Sequence, residues 1–196
     1  MKKIVSVAMA AAMAAALAGC GGAASSSAPA SSAAASAADS AAAKTYTVGI
    51  CQLVQHEALD AATQGFKDAL TAKLGDAVKF DEQNASGDSA NCATIVNGFV
   101  SNDVDLILAN ATAPLQAAAQ ATATIPVLGT SVTDYATALD ISDWTGTVGN
   151  NISGTSDLAP LDQQAAMIQE LFPDAKNVGL LYCSAEPNSV YQCDVM

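Results

Sequence analysis

Four short segments concentrate neutral side chains that donate and accept hydrogen bonds. They are residues 52–57, 110–113, 130–134 and 184–189, and each follows a stretch with the apolar, β-branched pattern of a buried strand. Thr, Ser, Asn and Gln are frequent in these segments, and Lys and Arg are absent from all four. Hydroxyl and amide groups of this kind suit the binding of a small polar solute.

The charges in these segments favour a solute that carries both signs. Several segments run into helix starts, where backbone amides favour a negative group. Asp134 and Glu186 supply acids that can meet a cationic group. An amino acid satisfies both demands at once. Ser, Thr, Asn and Asp are also ordinary cap and turn residues, so it is the convergence of four loops that favours a binding site.

The sequence gives little support to catalysis or metal chemistry. His56 is the only histidine, and neither a GxSxG, a CxxC nor an HExxH pattern occurs. Phosphate-binding loops of the types GxGxxG and GxxxxGK[ST] are also absent. We therefore predict no catalytic residue, no metal and no cofactor, and we interpret His56 as a helix-start residue that lines a cleft.

Strand-like and helix-like blocks alternate from Tyr46 onward and position these loops. The strand-like blocks are YTVGIC, AVKFDEQ, DLILAN, IPVLGT and VGLLYC, with TVGN at 147–150 as a further candidate. Repeated βα units with short connections predict an α/β fold with a doubly wound parallel sheet. Ligands of such sheets bind beyond the carboxyl ends of the strands, which is where the four polar segments fall.

The N-terminal segment has the pattern of an export signal. Lys2 and Lys3 precede an apolar run, and the run ends in LAGC, which resembles the lipobox of bacterial lipoproteins. We predict a lipoprotein signal peptide at 1–19 and lipid attachment at Cys20, hence an extracytoplasmic protein anchored to the membrane. The Gly, Ser and Ala residues at 20–44 predict a flexible tether.

Charge and cysteine usage agree with an exported protein. All seven basic residues are Lys, and all nineteen acids follow Cys20, so the chain from Cys20 onward has five lysines and a formal charge of −14. Nucleic acid is excluded as a partner by this charge. The other cysteines show no framework spacing, and we interpret Cys51, Cys92 and Cys183 as buried free thiols because apolar residues surround them.

Six motifs in order resemble one family. They are VGICQLVQHEALDAATQGFKDAL, NASGDSANCATI, DLILANATAPLQAAA, IPVLGTSVTD, GNNISGTSDLAP and VGLLYCSAEPNSVYQ. Together they are similar to the substrate-binding lipoproteins of ABC importers whose better-known members bind tryptophan, tyrosine or phenylalanine. The resemblance implies a two-lobed periplasmic-binding fold of the first type that closes on an amino acid and works with ABC permease subunits. Residues 45–152 would be the first lobe, and 153–196 the incomplete start of a second, as in a fragment of a longer protein.

The resemblance also implies a set of ligand-binding residues. Those of the first lobe and the crossing that follows it would be Gln52, His56, Asn110, Ala111, Thr112, Thr130, Asp134, Thr155, Ser156 and Asp157. Those of the second lobe would be Ser184, Glu186, Asn188 and Ser189. We expect Asp134 or Asp157 to pair with the ligand ammonium, and Thr112, Ser189 and helix-terminal amides to hold its carboxylate. No Arg exists in the chain to clamp that carboxylate.

Three alternatives remain open at this point. A Rossmann-type enzyme would need a phosphate loop, which the sequence lacks. A ligand-sensing domain of a regulator should carry a DNA-binding helix pair in place of a signal peptide. A binding protein for another solute, such as a nucleoside or a branched-chain amino acid, fits the same motifs. Family members often have Pro where this chain has Glu57 and Tyr135, so the choice of solute is the least constrained prediction.

Overall fold

The computed structural model of the protein describes residues 44–196. The predicted signal peptide at 1–19, the lipid attachment at Cys20 and nearly all of the predicted tether at 20–44 lie outside the described residues. No helix within residues 44–196 is long and apolar enough to cross a membrane.

The described residues form one parallel sheet with helices packed against it. The strands are β1 (Tyr46–Gln52), β2 (Val78–Asn84), β3 (Leu106–Asn110), β4 (Val127–Val132) and β5 (Ile152–Ser156). The helices are α1 (Glu57–Leu74), α2 (Ser89–Ser101), α3 (Thr112–Ala121), α4 (Tyr135–Leu139), α5 (Leu161–Leu171) and α6 (Pro187–Val195), and a 3-10 turn at Gly75–Ala77 follows α1. The strand order is β2-β1-β3-β4-β5, and every neighbouring pair is parallel. The predicted α/β fold with a doubly wound parallel sheet is confirmed.

Both faces of the central strands are buried, which explains their continuous apolar runs. On one face, Val48 and Ile50 of β1 pack in a cluster that Phe66 of α1 covers. On the other face, Cys51 packs in a larger cluster that includes Phe99 of α2 and side chains of α3. Alternate residues of one strand therefore serve two separate cores, as the two-residue period of a strand requires.

Gly49 of β1 is a packing requirement of this arrangement. A Cβ atom at position 49 would lie 2.6 Å from the ring of Phe99. Phe99 is fully buried and belongs to the larger cluster. The missing side chain of Gly49 thus lets α2 approach the sheet closely enough to seat an aromatic ring.

The fifth strand lies later than the TVGN pattern predicts. Residues 147–150 form no strand, and Gly149 and Asn150 have left-handed backbone angles, φ 77° and φ 53°. Those angles make a turn that leads into β5, which pairs with β4 from Ile152 onward. The prediction was wrong because Gly and Asn are the residues that tolerate left-handed angles, and here they form a turn.

The predicted strand VGLLYC is also absent. Residues 178–183 have no regular secondary structure, and no strand of the described chain lies beside them to pair. Leu181 is fully exposed, and Cys183 is exposed as well. The prediction of a strand was wrong, because the apolar pattern alone does not make a strand: an unpaired segment gains none of the hydrogen bonds that make a strand stable.

Two of the three thiols interpreted as buried are buried and free. Cys51 and Cys92 are fully buried, whereas Cys183 is exposed, contrary to the prediction. A hydrogen bond with Cys92, reinforced by burial, raises the pKa of the Cys51 thiol. Cys51 is therefore a neutral, poorly reactive thiol in the folded protein.

Candidate functional site

Backbone hydrogen bonds tie together the loops at the carboxyl edge of the sheet. The amide of Ala85 donates to the carbonyl of Gln52 at 2.9 Å, and the amide of Leu53 donates to the carbonyl of Asn110 at 3.2 Å. The amide of Ala111 donates to the carbonyl of Thr130 at 3.0 Å. The strand ladders thus continue for one residue into the loops, which brings the polar segments after β1, β3 and β4 into one ordered edge.

A cavity of about 160 Å³, here called the loop cavity, lies at this edge. Its walls come from the loops after β1, β2 and β3, from the end of β4, from the starts of α2 and α3 and from the segment that leads into α6. The lining residues are Leu53, Gly87, Ser89, Ala111, Thr112, Ala113, Gln116, Ser131, Cys183, Ala185, Glu186, Pro187 and Asn188. Four of them were predicted from the sequence: Ala111, Thr112, Glu186 and Asn188.

The start of α3, whose first turn has no side-chain cap, lines the loop cavity. Side chains cap the helices α1, α2 and α4, through His56, Asp88 and Asp134. In contrast, the residue before α3 is Ala111, which has no side chain able to accept from the first-turn amides. Thr112 and Ala113, the first two residues of α3, both line the cavity. Unsatisfied amides at a helix start favour an anionic partner.

Two residues of the loop cavity have strained backbones. Ala111 has φ 104° and ψ 171°, a region that is almost restricted to glycine. Ser131 has φ 54°, in the left-handed region, where the pairing of β4 with β5 shifts register. Such conformations persist only where the surrounding structure imposes them, and they cluster at functional sites.

Glu186 is the acid among the residues that line the loop cavity. It precedes α6, and one of its carboxylate oxygens accepts from the hydroxyl of Ser189 at 3.0 Å. No Lys lines the cavity, so Glu186 meets no cation there. The cavity thus combines amides that favour an anion with a carboxylate that favours a cation.

Gln52 and Asn110 lie behind the cavity in a buried network rather than along its lining. The hydroxyl of Thr63 donates to Gln52 Oε1 at 2.7 Å and accepts from Asn110 Nδ2 at 2.9 Å. Asn110 Nδ2 also donates to the carbonyl of Leu59 at 2.8 Å, and Gln52 Nε2 donates to Asp60 at 2.6 Å. The network joins α1 to the ends of β1 and β3. Asn110 Oδ1 is buried and has no partner among the described residues.

The predicted residues near β5 form a second group, apart from the loop cavity. Asp134 Oδ1 accepts from the amide of Thr137 at 2.7 Å and so caps α4. The hydroxyl of Tyr135 donates to the carbonyl of Thr155 at 3.2 Å, and burial, with a smaller effect of the charge of Asp157, raises the pKa of Tyr135 to about 12. The hydroxyl of Ser156 donates to a backbone carbonyl at 2.8 Å. These contacts connect β4 and β5 to α4.

The remaining predicted residues do not line the loop cavity either. His56 is exposed, and its Nδ1 accepts from the amide of Ala58 at 3.2 Å, which agrees with a helix-start role. Thr130 lies in β4, where its carbonyl accepts from Ala111. Ser184 lines a separate shallow pocket, and Ser189 contacts Glu186.

Sequence reasoning missed most of the cavity lining. Ser131 and Ala113 lie inside segments that the sequence singled out, whereas Gly87, Ser89 and Gln116 come from elements that gave no ligand signal. Which residue of a loop reaches a cavity depends on the course of the loop, and neighbouring polar residues look alike in sequence. Within residues 44–196 no group of three His, Cys, Asp or Glu side chains could hold a metal ion.

Comparisons with known proteins match most of the described chain. The family described as ABC transporter substrate binding protein matches residues 47–196. A tyrosine-binding protein of Clostridioides difficile strain R20291 is 41% identical over 154 residues, which cover 77% of this chain and 44% of that protein.

Two solved structures are similar in fold and in sequence. A conserved domain protein from Vibrio cholerae O1 biovar El Tor is 37% identical with a TM-score of 0.72, over 78% of this chain and 52% of that one. An ABC domain from Streptococcus pneumoniae, solved in complex with L-Trp, is 35% identical with a TM-score of 0.71 and the same shares. The chain spans about half of the length of these relatives. The match over residues 47–196 shows that the chain belongs to the ABC transporter substrate binding protein family.

Proposed function

We propose that this protein is the lipid-anchored, extracytoplasmic solute-binding component of an ABC importer and that its solute is an aromatic amino acid. Family membership makes it a substrate-binding protein and not an enzyme, because the relatives are binding proteins. The observation that carries the choice of an amino acid is the pairing of charges in the loop cavity. Uncapped amides of α3 and the carboxylate of Glu186 line the same space.

The carboxylate of the amino acid binds at the start of α3. The amides of Thr112 and Ala113 lie at the positive end of a ten-residue helix and have no side-chain cap. The hydroxyl of Thr112 adds a donor beside them. Because the chain has no Arg and the cavity has no Lys, these neutral donors take the place of the cationic side chain that often pairs with a bound carboxylate.

The ammonium of the amino acid binds Glu186. Of the acids proposed from the sequence, Glu186 is the one that lines the loop cavity, whereas the carboxylate of Asp134 accepts a helix-capping hydrogen bond. Asn188 supplies a further polar contact from the same segment. Pairing of the ammonium with Asp134 or Asp157, which the family resemblance implies, is the alternative to Glu186, and a loss of affinity in Asp134→Asn would favour Asp134.

The side chain of the solute is proposed to be aromatic on the evidence of the relatives. One is a tyrosine-binding protein, and another was solved with L-Trp. The loop cavity, at about 160 Å³, is smaller than the ~300 Å³ at which ligand pockets usually start, so it would hold only part of an aromatic amino acid. The proposed closure of two lobes would add walls to this cavity.

Binding of a series of amino acids and analogues tests the proposal. The intact gene product should be titrated calorimetrically with L-tyrosine, L-tryptophan, L-phenylalanine, L-leucine and adenosine. Tyramine and tryptamine lack the carboxylate, and phenylpropionate lacks the ammonium. We expect the aromatic amino acids to bind and each analogue to bind at least ten-fold more weakly, because each loses a charge-assisted contact. Tight binding of adenosine or leucine in place of the aromatic amino acids would refute the solute, and equal binding of the analogues would refute the zwitterion.

Two substitutions connect the titration to the loop cavity. Glu186→Gln keeps the size of the side chain and removes its charge, so it should weaken binding of L-tyrosine at least ten-fold and leave binding of phenylpropionate unchanged. Glu170→Gln on α5 is a matched control, because Glu170 is exposed and lies outside the cavity lining. Equal losses in the two variants would refute the role of Glu186.

The proposed anchor has its own test. Cells that express the gene should incorporate labelled palmitate into this protein, and Cys20→Ser should abolish the label and release the protein from the membrane fraction. A Cys51→Ser variant should keep the label, because Cys51 is buried in the folded chain. Membrane association of the Cys20→Ser variant equal to that of the wild type would refute lipid anchoring. Copurification of permease subunits with the anchored protein would test the importer role.

A further inference from the structure

We infer that Cys51 and Cys92 form an intrachain disulfide, which joins the end of β1 to the first turn of α2, when the protein folds in an oxidising environment. Both thiols are free in the structure. The inference goes beyond solute binding, and it rests on the proposed extracytoplasmic location only for the supply of an oxidant. Two features support it: the packing of the two cysteines and the loop that holds α2 against β1.

Cys51 and Cys92 pack against each other inside the protein. Both are fully buried, and both belong to the cluster that contains Phe99. A hydrogen bond joins the two thiols. Two cysteines whose side chains point apart cannot be bridged without movement of the backbone. The shared hydrogen bond shows that these two side chains point toward each other.

Backbone hydrogen bonds hold the start of α2 over the end of β1. The amide of Gly87, in the loop before α2, donates to the carbonyl of Leu53 at 2.8 Å, and Leu53 lies two residues beyond Cys51. The amide of Cys92 donates to the carbonyl of Asp88 at 3.1 Å in the first turn of the helix. The position of Cys92 relative to β1 is therefore set by the main chain.

The spacing of these cysteines in the sequence conceals the pair. A segment of about 40 residues, with α1 and β2 in it, separates Cys51 from Cys92. The fold brings the two together, and a bond that closes a loop of this length restricts the unfolded chain and stabilises the folded one. The bond would also connect two walls of the loop cavity, because Leu53 and Ser89 both line it.

Formation of the bond is a thiol–disulfide exchange with an external disulfide, such as oxidised glutathione or an extracytoplasmic oxidase with an active-site disulfide. While the chain folds and its thiols are still accessible, one cysteine thiolate attacks the external disulfide, forms a mixed disulfide and releases one thiolate. As α2 docks on β1, the second cysteine thiolate attacks the protein sulfur of the mixed disulfide and releases the other. The protein loses two electrons and two protons, and the oxidant becomes two thiols.

Refolding in a glutathione buffer tests the inference. The intact gene product should be reduced and unfolded in urea, diluted into reduced and oxidised glutathione, blocked with N-ethylmaleimide in urea and cleaved after lysine. This cleavage leaves Cys51 in the peptide 45–67 and Cys92 in the peptide 80–176, and each peptide contains a single cysteine. Mass spectrometry should find these two peptides joined in most molecules, lighter by two hydrogens than their sum. Recovery of both peptides with blocked thiols would overturn the inference.

The urea midpoint of unfolding tests whether the bond fits the fold. The linked protein should unfold at a higher urea concentration than the same protein in reductant, with an unfolding constant at least about 30-fold smaller. The midpoint of Cys92→Ala should be the same with and without reductant. Cys183→Ala is the matched control, because Cys183 is exposed, and it should keep both the joined peptides and the effect of reductant. A linked wild-type protein with an unchanged or lower midpoint would overturn the inference.

The outcomes separate this inference from the proposed function. The glutathione buffer supplies the oxidant, so absence of the joined peptides overturns the inference wherever the protein resides in the cell. Joining of Cys51 to Cys183 or Cys193 as often as to Cys92 overturns it as well, because the pairing is then random. Joined peptides from a protein that takes up no palmitate in cells would support the inference while the proposed anchor fails.

Discussion

Thr63→Val tests whether the buried network behind the loop cavity stabilises the fold. Thr63 is buried, and its hydroxyl makes one hydrogen bond to Gln52 and one to Asn110. Valine has almost the same shape but no hydroxyl, so the substitution removes both bonds and creates no large cavity. The remaining contact between Gln52 Oε1 and Asn110 Nδ2, at 3.5 Å, is too long to replace them.

The expected loss follows from which atoms are left without partners. Asn110 Nδ2 keeps its hydrogen bond to the carbonyl of Leu59, so losing the bond to Thr63 leaves this amide with a partner and costs little stability. Gln52 Oε1 loses its donor while buried, and an unsatisfied buried acceptor costs about 1–3 kcal/mol. We therefore expect Thr63→Val to lower the free energy of unfolding by ~2–3 kcal/mol. Asn110 Oδ1 cannot replace the lost donor, because an amide oxygen only accepts hydrogen bonds.

Urea unfolding followed by circular dichroism at 25 °C measures this loss. The midpoint should fall and the slope should stay constant, since the surface exposed on unfolding is unchanged. Thr94→Val is the matched control, because Thr94 is an exposed helical threonine whose hydroxyl donates to a backbone carbonyl at 3.0 Å. We expect the control to change stability by less than ~0.5 kcal/mol. If Thr63→Val unfolds at the same urea concentration as Thr94→Val, the network does not stabilise the fold.

Three further predictions concern packing, pH and capping. Gly49→Ala should destabilise the protein by ~1–3 kcal/mol, because a Cβ would lie 2.6 Å from the Phe99 ring. Gly65→Ala, in open space on α1, should instead raise the melting temperature. Equal shifts of the melting temperature in the two variants would contradict the packing argument. Tyr135 has its pKa raised to about 12, so its unfolded phenol ionises first and wild-type protein should lose stability between pH 10 and 12. The urea midpoint of unfolding of Tyr135→Phe should fall less than that of the wild type over that pH range. If the midpoints of the two proteins fall in parallel with pH, the pKa of Tyr135 is not raised. Asp134→Asn should keep its stability, because Asn caps a helix as well as Asp does. It should also keep its affinity for L-tyrosine, and a ten-fold loss of that affinity in calorimetry would assign the ammonium to Asp134.

The sequence was most informative where burial on both faces fixes the choice of residue. β1 and β3 were predicted within one residue, because a parallel strand covered by helices must be apolar throughout. β5 was misplaced since it is an edge strand with exposed Gly, Ser and Thr residues, and such a strand carries little apolar signal. The five-residue helix α4 was missed because it is shorter than two turns of helix and shows no period.

The candidate site was predictable at the level of loops but not of side chains. Gln52 and Asn110 end their strands beside the cavity, yet they turn into a network with Thr63, a residue of α1 that no motif singled out. Conversely, Ser131 reaches the cavity because a register shift gives it a left-handed backbone. Both outcomes depend on contacts between residues far apart in sequence, which local patterns do not encode.

The hydrogen bonds that extend the strand ladders into the loops have a thermodynamic consequence for capture of the solute. The amides of Leu53, Ala85 and Ala111 are already fixed to neighbouring strands before any solute arrives. A solute that docks on this edge immobilises few backbone dihedrals, so most of its contact energy is retained as affinity.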